Sequence, residues 1–132
     1  MRRMTAPTVT ALYAALNAML NIALAARVSL LRRDARVSIG TGESRELLVA
    51  VRVHANNAEF VPLALVLLLV AEACGGASLW LHVAGGTLLV ARLAHAVGMP
   101  LPAPNVFRAS GTGLTWTLTV ALAGYALYLR AG

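Results

Sequence analysis

Arg52-Val53-His54-Ala55-Asn56-Asn57-Ala58-Glu59-Phe60-Val61-Pro62 decides how this chain is read. An arginine, a histidine, two asparagines and a glutamate fall between positions 52 and 59, and the chain then runs straight into the wholly apolar stretch Leu63–Ala71. Polar groups fused to a membrane-grade apolar run are costly unless they pair with each other or with a ligand. The rest of the sequence reads as scaffolding that holds this segment.

The composition names the solvent. Of 132 residues, 59% are hydrophobic and 12% charged. Soluble domains carry roughly 45–50% apolar and about 25% charged residues, so the expected surroundings are a lipid bilayer. The net charge of +6 rests on 11 basic residues, all arginine. They sit beside or inside apolar runs and not in an aromatic-interleaved basic patch, which argues for membrane-flanking charge and against a nucleic-acid partner. A lone cysteine, Cys74, excludes an intrachain disulfide and a cysteine-based metal cluster. The first apolar run ends in arginines and not in a small-residue cleavage site, so it is read as a retained span and not a signal peptide.

Four apolar segments follow one another. The first covers residues 8–31, with Asn17 and Asn21 one turn apart on a shared face and Arg27 near its end. A polar loop rich in arginine and glycine, 32–45, connects it to a second helix starting near Ser44, with its span over 47–74 and Pro62 expected to kink it. Gly75-Gly76 ends that helix, and Ser78 is the expected N-cap of a third, whose span is 79–97. Three prolines within 100–104 break the chain before a fourth helix from about Asn105, with its span over 107–129. The expected fold is one all-α integral membrane domain, an up-down four-helix transmembrane bundle. The first and third connections hold more arginine than the opposite side, which places the first loop in the cytoplasm.

The polar residues inside the spans converge. Arg27 ends helix 1; Arg52, His54, Asn56, Asn57 and Glu59 open helix 2; Arg92 and His95 end helix 3; Arg108 opens helix 4. In an up-down bundle these four ends lie in the same half of the bilayer. At about 100° per residue, Arg45, Arg52, Asn56 and Glu59 share one face of helix 2, while His54 points nearly the other way. One reading is an internal network in which Glu59 neutralises Arg52 or Arg92, with Asn56 and His95 satisfying the leftover hydrogen bonds. The other is a cationic pocket for an anionic ligand, because one acid faces several arginines, whose planar forks suit carboxylates. No metal site is expected: His54 and His95 lack a carboxylate pair, and His82 lies near the opposite face. Glu72 reads as an end residue near the far interface.

Arg52-x-His54-x-Asn56-x-x-Glu59-x-x-Pro62 resembles the signature of the MAPEG family, the membrane-associated proteins in eicosanoid and glutathione metabolism. Ala91-Arg92-Leu93-Ala94-His95, Arg108 at the head of helix 4, the chain length and the four-span order extend the resemblance over essentially the whole chain. It implies a homotrimer of four-helix protomers, with helix 2 lining the centre and glutathione as co-substrate in clefts between protomers. By resemblance, Arg52, His54, Asn56, Glu59, Arg92 and His95 hold glutathione, with Glu59 at its amino group. Arg32 or Arg33 is the nearest match to a helix 1 arginine that contributes in the family, and Arg108 matches the arginine that stabilises the thiolate. Met99, Phe60 and Ala109 stand where hydroxyl residues occur in other members. The all-arginine, alanine-rich composition suggests a bacterial member, in the inner membrane. The function implied is a glutathione transferase or peroxidase acting on lipophilic electrophiles. The alternatives are a non-enzymatic protein of the same fold, whose polar cluster is structural or binds another small anion, and a proton-coupled exporter using Glu59.

Overall fold

The structure, a computed structural model, describes residues 6–131; Arg2 and Arg3, which with Arg130 make up the arginines expected on the side opposite the first loop, lie outside the described residues. Its architecture is four antiparallel helices: α1 Thr8–Ala35, α2 Arg45–Ala73, α3 Ser78–Gly98 and α4 Val106–Ala131. There is no strand among the described residues. α2 touches the other three helices, α3 and α4 share the most extensive contact, and α1 meets α2 and α3 but not α4. The helices α1 and α4 therefore occupy opposite corners of the bundle, with α2 and α3 in contact across the shorter diagonal.

The helix ends follow from local chemistry. α1 outlasts its expected end by a turn, and Arg32 and Arg33 lie in that last turn, where cations favour the negative end of the helix dipole. Arg36 then turns left-handed at φ 54°, and its N–H reaches back to the Arg32 and Arg33 carbonyls. α2 opens on Ser44, whose hydroxyl accepts the Leu47 N–H at 3.2 Å. It runs as one unbroken helix through Pro62. At α3 the expected cap is corrected: Ala77, not Ser78, is the N-cap, and it has no side-chain bond to offer. Tyr125 of α4 supplies the partner instead, its hydroxyl accepting the Ala77 N–H at 2.9 Å. α4 is capped by Asn105, which accepts the Arg108 N–H at 2.9 Å.

The apolar core is concentrated near the α2–α3 turn, where Val9, Leu68, Ala71, Leu81, Ala84 and Leu122 pack together. Large apolar side chains such as Met19, Ile22, Leu79, Val106 and Val120 point outward. That inversion is expected when lipid is the solvent, and three helices (α1, α2 and α3) are long and apolar enough to cross a membrane. α4 is long enough too, but Arg108, four threonines and three glycines lower its hydropathy.

Glu72 does more than end a span. It is buried, and its two carboxylate oxygens accept the N–H groups of Val9 and Thr10 at 2.9 and 2.7 Å. Pro7 stands at the N-cap of α1 and makes no side-chain cap bond, so an acid borrowed from α2 caps α1 and fastens the two helices together. Hydrogen bonds to a charged group contribute about 1.5–3 kcal/mol each. Glu72→Leu should therefore lower the thermal unfolding temperature in detergent and expose the α1 N-terminus to limited proteolysis. Glu72→Gln keeps one acceptor oxygen and should recover part of the loss. Unchanged unfolding in Glu72→Leu would contradict the capping role.

A buried arginine held by neutral partners

Arg92 of α3 is 1% exposed, and every group that holds it is neutral. Its Nε donates to Asn57 Oδ1 at 3.1 Å and its Nη2 to Asn56 Oδ1 at 2.7 Å, both on α2. Nη2 also lies 3.3 Å from His95 Nδ1, one turn on in α3. A guanidinium only donates, so Nδ1 must accept, which assigns the proton of a neutral His95 to Nε2. Nη1 reaches the Thr115 hydroxyl of α4 at 3.5 Å; that hydroxyl spends its own proton on the Gly111 carbonyl at 2.7 Å. Asn57 passes the chain on to α1, donating from Nδ2 to Asn21 Oδ1 at 3.1 Å. One cation thus ties all four helices together.

The backbones come close enough for these short side chains to meet. A Cβ on Gly111 would stand 2.7 Å from the Ala91 carbonyl oxygen and from the His95 backbone nitrogen. Only glycine lets α4 approach α3 that closely. At the other end of α3, a side chain on Gly85 would collide with the Tyr13 ring of α1.

The sequence-derived site residues divide into three groups. Asn56, Arg92 and His95 meet directly, joined by Asn57, Asn21 and Thr115, which were not among the expected ligand residues. The shared face of Asn17 and Asn21 was a signal for Asn21. Nothing in the sequence singled out Thr115 from its neighbours Thr112, Thr117 and Thr119.

Arg52 and Glu59 form the second group. They are exposed on the outer face of α2, while His54 is half-buried. Neither makes an ion pair among the described residues, where the pairs are Arg27–Glu46 at 3.5 Å and Arg33–Asp34 at 3.2 Å. Arg92 has no carboxylate partner among the described residues, so Glu59 does not neutralise it within the protomer. Arg108 is exposed in the first turn of α4, in a groove of about 630 Å³ that runs from Pro104 to Trp116. The Trp116 ring stacks at a tilt on Phe60, 6.2 Å between centroids, so the far end of the groove abuts the residue after Glu59.

Arg32 and Arg33 form the third group, away from the others. With Arg36 they line a shallow cleft at the α1 C-terminus. Arg32 is committed to the loop, donating to the Gly40 carbonyl at 2.6 Å, and Arg33 to Asp34.

A four-helix, membrane-embedded bundle pinned by a buried arginine defines the class: an all-α integral membrane protein. The sequence pattern of the MAPEG family matches residues 10–128, and the chain belongs to that family. It is 39% identical over 110 residues to the inner membrane protein YecN of Escherichia coli K12, covering 82% of each chain. It is similar to the same extent to YecN of Escherichia coli strain CFT073.

Proposed function

We propose that this protein is a glutathione-binding enzyme of the bacterial inner membrane, a transferase or peroxidase that acts on lipophilic electrophiles as a homotrimer, with its first loop in the cytoplasm. The observation that carries the reading is the division of charge. Arg92 is already satisfied by neutral acceptors, whereas Arg52, Glu59 and Arg108 are exposed and without an ion-pair partner among the described residues. On a helix otherwise suited to lipid, Arg52 and Glu59 need a partner from outside the protomer. Glutathione offers two carboxylates, one ammonium and one thiol. Arg52 matches a carboxylate through its fork, Glu59 matches the ammonium, and Arg108 matches the thiolate. A neighbouring protomer against the outer face of α2 would enclose the ligand between subunits.

In this reading His54, on the side of α2 away from Arg52, and the Arg32–Arg33 corner contribute from the adjoining protomer. Arg92, His95 and Asn56 set the position of α2 against α3. The Arg108 guanidinium holds the sulfur as thiolate, the nucleophile. The thiolate forms a bond to the electrophilic carbon as the leaving group departs with its electron pair. Phe60, Met99 and Ala109 supply no hydroxyl, so binding is carried by charge and should weaken steeply with salt.

Ultraviolet difference spectroscopy tests this. Adding glutathione to the purified protein should produce a thiolate band that is lost in Arg108→Ala. Glu59→Gln should raise the concentration needed for half-saturation at least tenfold while leaving the band at saturation. No band and no binding in the wild type would refute the proposal.

A further inference from the structure

A second polar place lies between α1 and α2, on the other side of α2 from its exposed charges. It is a cleft of about 250 Å³ whose walls include Asn17, Asn21, Asn57, Ala58 and Pro62. Asn17 lies in the third turn of α1, about 14 Å from its start at 1.5 Å per residue, which is deep in the bilayer.

Three backbone and side-chain groups there are left over. Asn17 is 1% exposed; its Nδ2 donates to the Tyr13 carbonyl at 2.8 Å, which fixes the orientation of the amide, and its Oδ1 is buried with no partner. Asn21 spends its oxygen on Asn57, and its Nδ2 makes no hydrogen bond among the described residues. Pro62 has no N–H to offer the Ala58 carbonyl one turn back, and both residues line the cleft. Two acceptors and one donor are thus gathered where unsatisfied polar groups are costly. No charged side chain lines the cleft, which excludes an ionic occupant. An alkane would satisfy none of these groups, and a ketone or ether only the donor. A hydroxyl both donates and accepts. Ala18, Ala58 and Pro62, all exposed, form the rim through which an apolar tail would pass into lipid.

We propose that the α1–α2 cleft is a binding site for the neutral hydroxyl group of a lipophilic alcohol, which donates to Asn17 or to the Ala58 carbonyl and accepts from Asn21. This does not rest on the glutathione reading and is tested without glutathione. The probe is tritiated 1-decanol, measured by scintillation proximity on the immobilised, detergent-solubilised full-length protein. Binding should be saturable at one alcohol per chain and displaced by unlabelled 1-decanol, with decane and decyl methyl ether at least tenfold poorer competitors. Asn17→Leu removes only a bond to its own helix, and Ala18→Phe closes the rim without touching the polar groups. Each should weaken binding at least tenfold while the thermal unfolding temperature is kept. Should Asn17→Leu fail to fold, Ala18→Phe decides alone. Absence of saturable binding, equal competition by decane, or undiminished binding in Ala18→Phe would overturn the proposal.

Discussion

Arg92→Met is expected to be the most damaging single substitution in the chain. It strands four acceptors at once: Asn56 Oδ1, Asn57 Oδ1, His95 Nδ1 and the Thr115 hydroxyl. Hydrogen bonds between transmembrane helices average well under their value in a dry medium, about 0.6 kcal/mol each with a maximum near 1.7, because the unfolded chain in lipid also finds partners. A charged donor and full burial place these bonds toward the upper end, so the sum is about 3 kcal/mol or more. Thermal unfolding in detergent, followed by the fluorescence of Trp80 and Trp116, should show the loss. Arg92→Lys keeps the charge but not the planar fork and should recover little. Pairing Arg92→Met with Asn57→Leu removes both sides of one bond, and the double variant should be less destabilised than the sum of the two single ones. If Arg92→Met unfolds at the wild-type temperature, the network does not hold the bundle.

Gly111→Ala and Gly113→Ala form the second test. They make the same chemical change two positions apart on α4, with opposite expected outcomes. The new Cβ at 111 would stand 2.7 Å from the Ala91 carbonyl oxygen, a backbone atom that cannot turn aside. α4 must then move away from α3, and overpacking of this kind costs about 1–3 kcal/mol. The shift also carries Thr115 away from Arg92, since the Thr115 hydroxyl is anchored on the Gly111 carbonyl. At Gly113 a Cβ meets nothing within 4 Å. There the only change is helix propensity, which favours alanine over glycine by about 0.8–1.0 kcal/mol. Gly113→Ala should therefore unfold at or above the wild-type temperature and Gly111→Ala clearly below it. Equal behaviour would mean that α3 and α4 are not in close backbone contact at Gly111.

The fold was legible because bilayer thickness writes itself into sequence as length and hydropathy, and proline and glycine punctuate it. The helix ends were less so, because they depend on tertiary partners. Ser78 looked like a cap by local rule, but Tyr125, 48 residues away from Ala77, took the role. Glu72 looked like an interfacial residue because its partners, the Val9 and Thr10 amides, come from a helix more than 60 positions earlier. Arg92, His95 and Asn56 were visible as costly residues in a membrane span. Hydrogen bonds from Asn56 and His95 were expected in an internal network; what was invisible was that neutral groups would satisfy Arg92 without Glu59. Asn57 and Thr115 are ordinary residues whose meaning lies in the register of α2 and α4 against α3, and one sequence does not encode register openly. Arg32 and Arg33 sit at the end of α1, in the half of the bundle that their spacing implies. However, Arg32 is turned to the Gly40 carbonyl, a contact made possible by the left-handed turn at Arg36.

The outward-facing Arg52 and Glu59 are the residues on which the functional proposal stands or falls, because they ask for both a neighbouring protomer and a ligand. Native mass spectrometry of the protein released from nanodiscs, with and without glutathione, reads both. The expected spectrum is a trimer that gains the mass of glutathione, with the adduct diminished in Arg52→Ala and Glu59→Gln. A monomer, or a trimer that takes up no glutathione at millimolar concentration, would contradict the proposal.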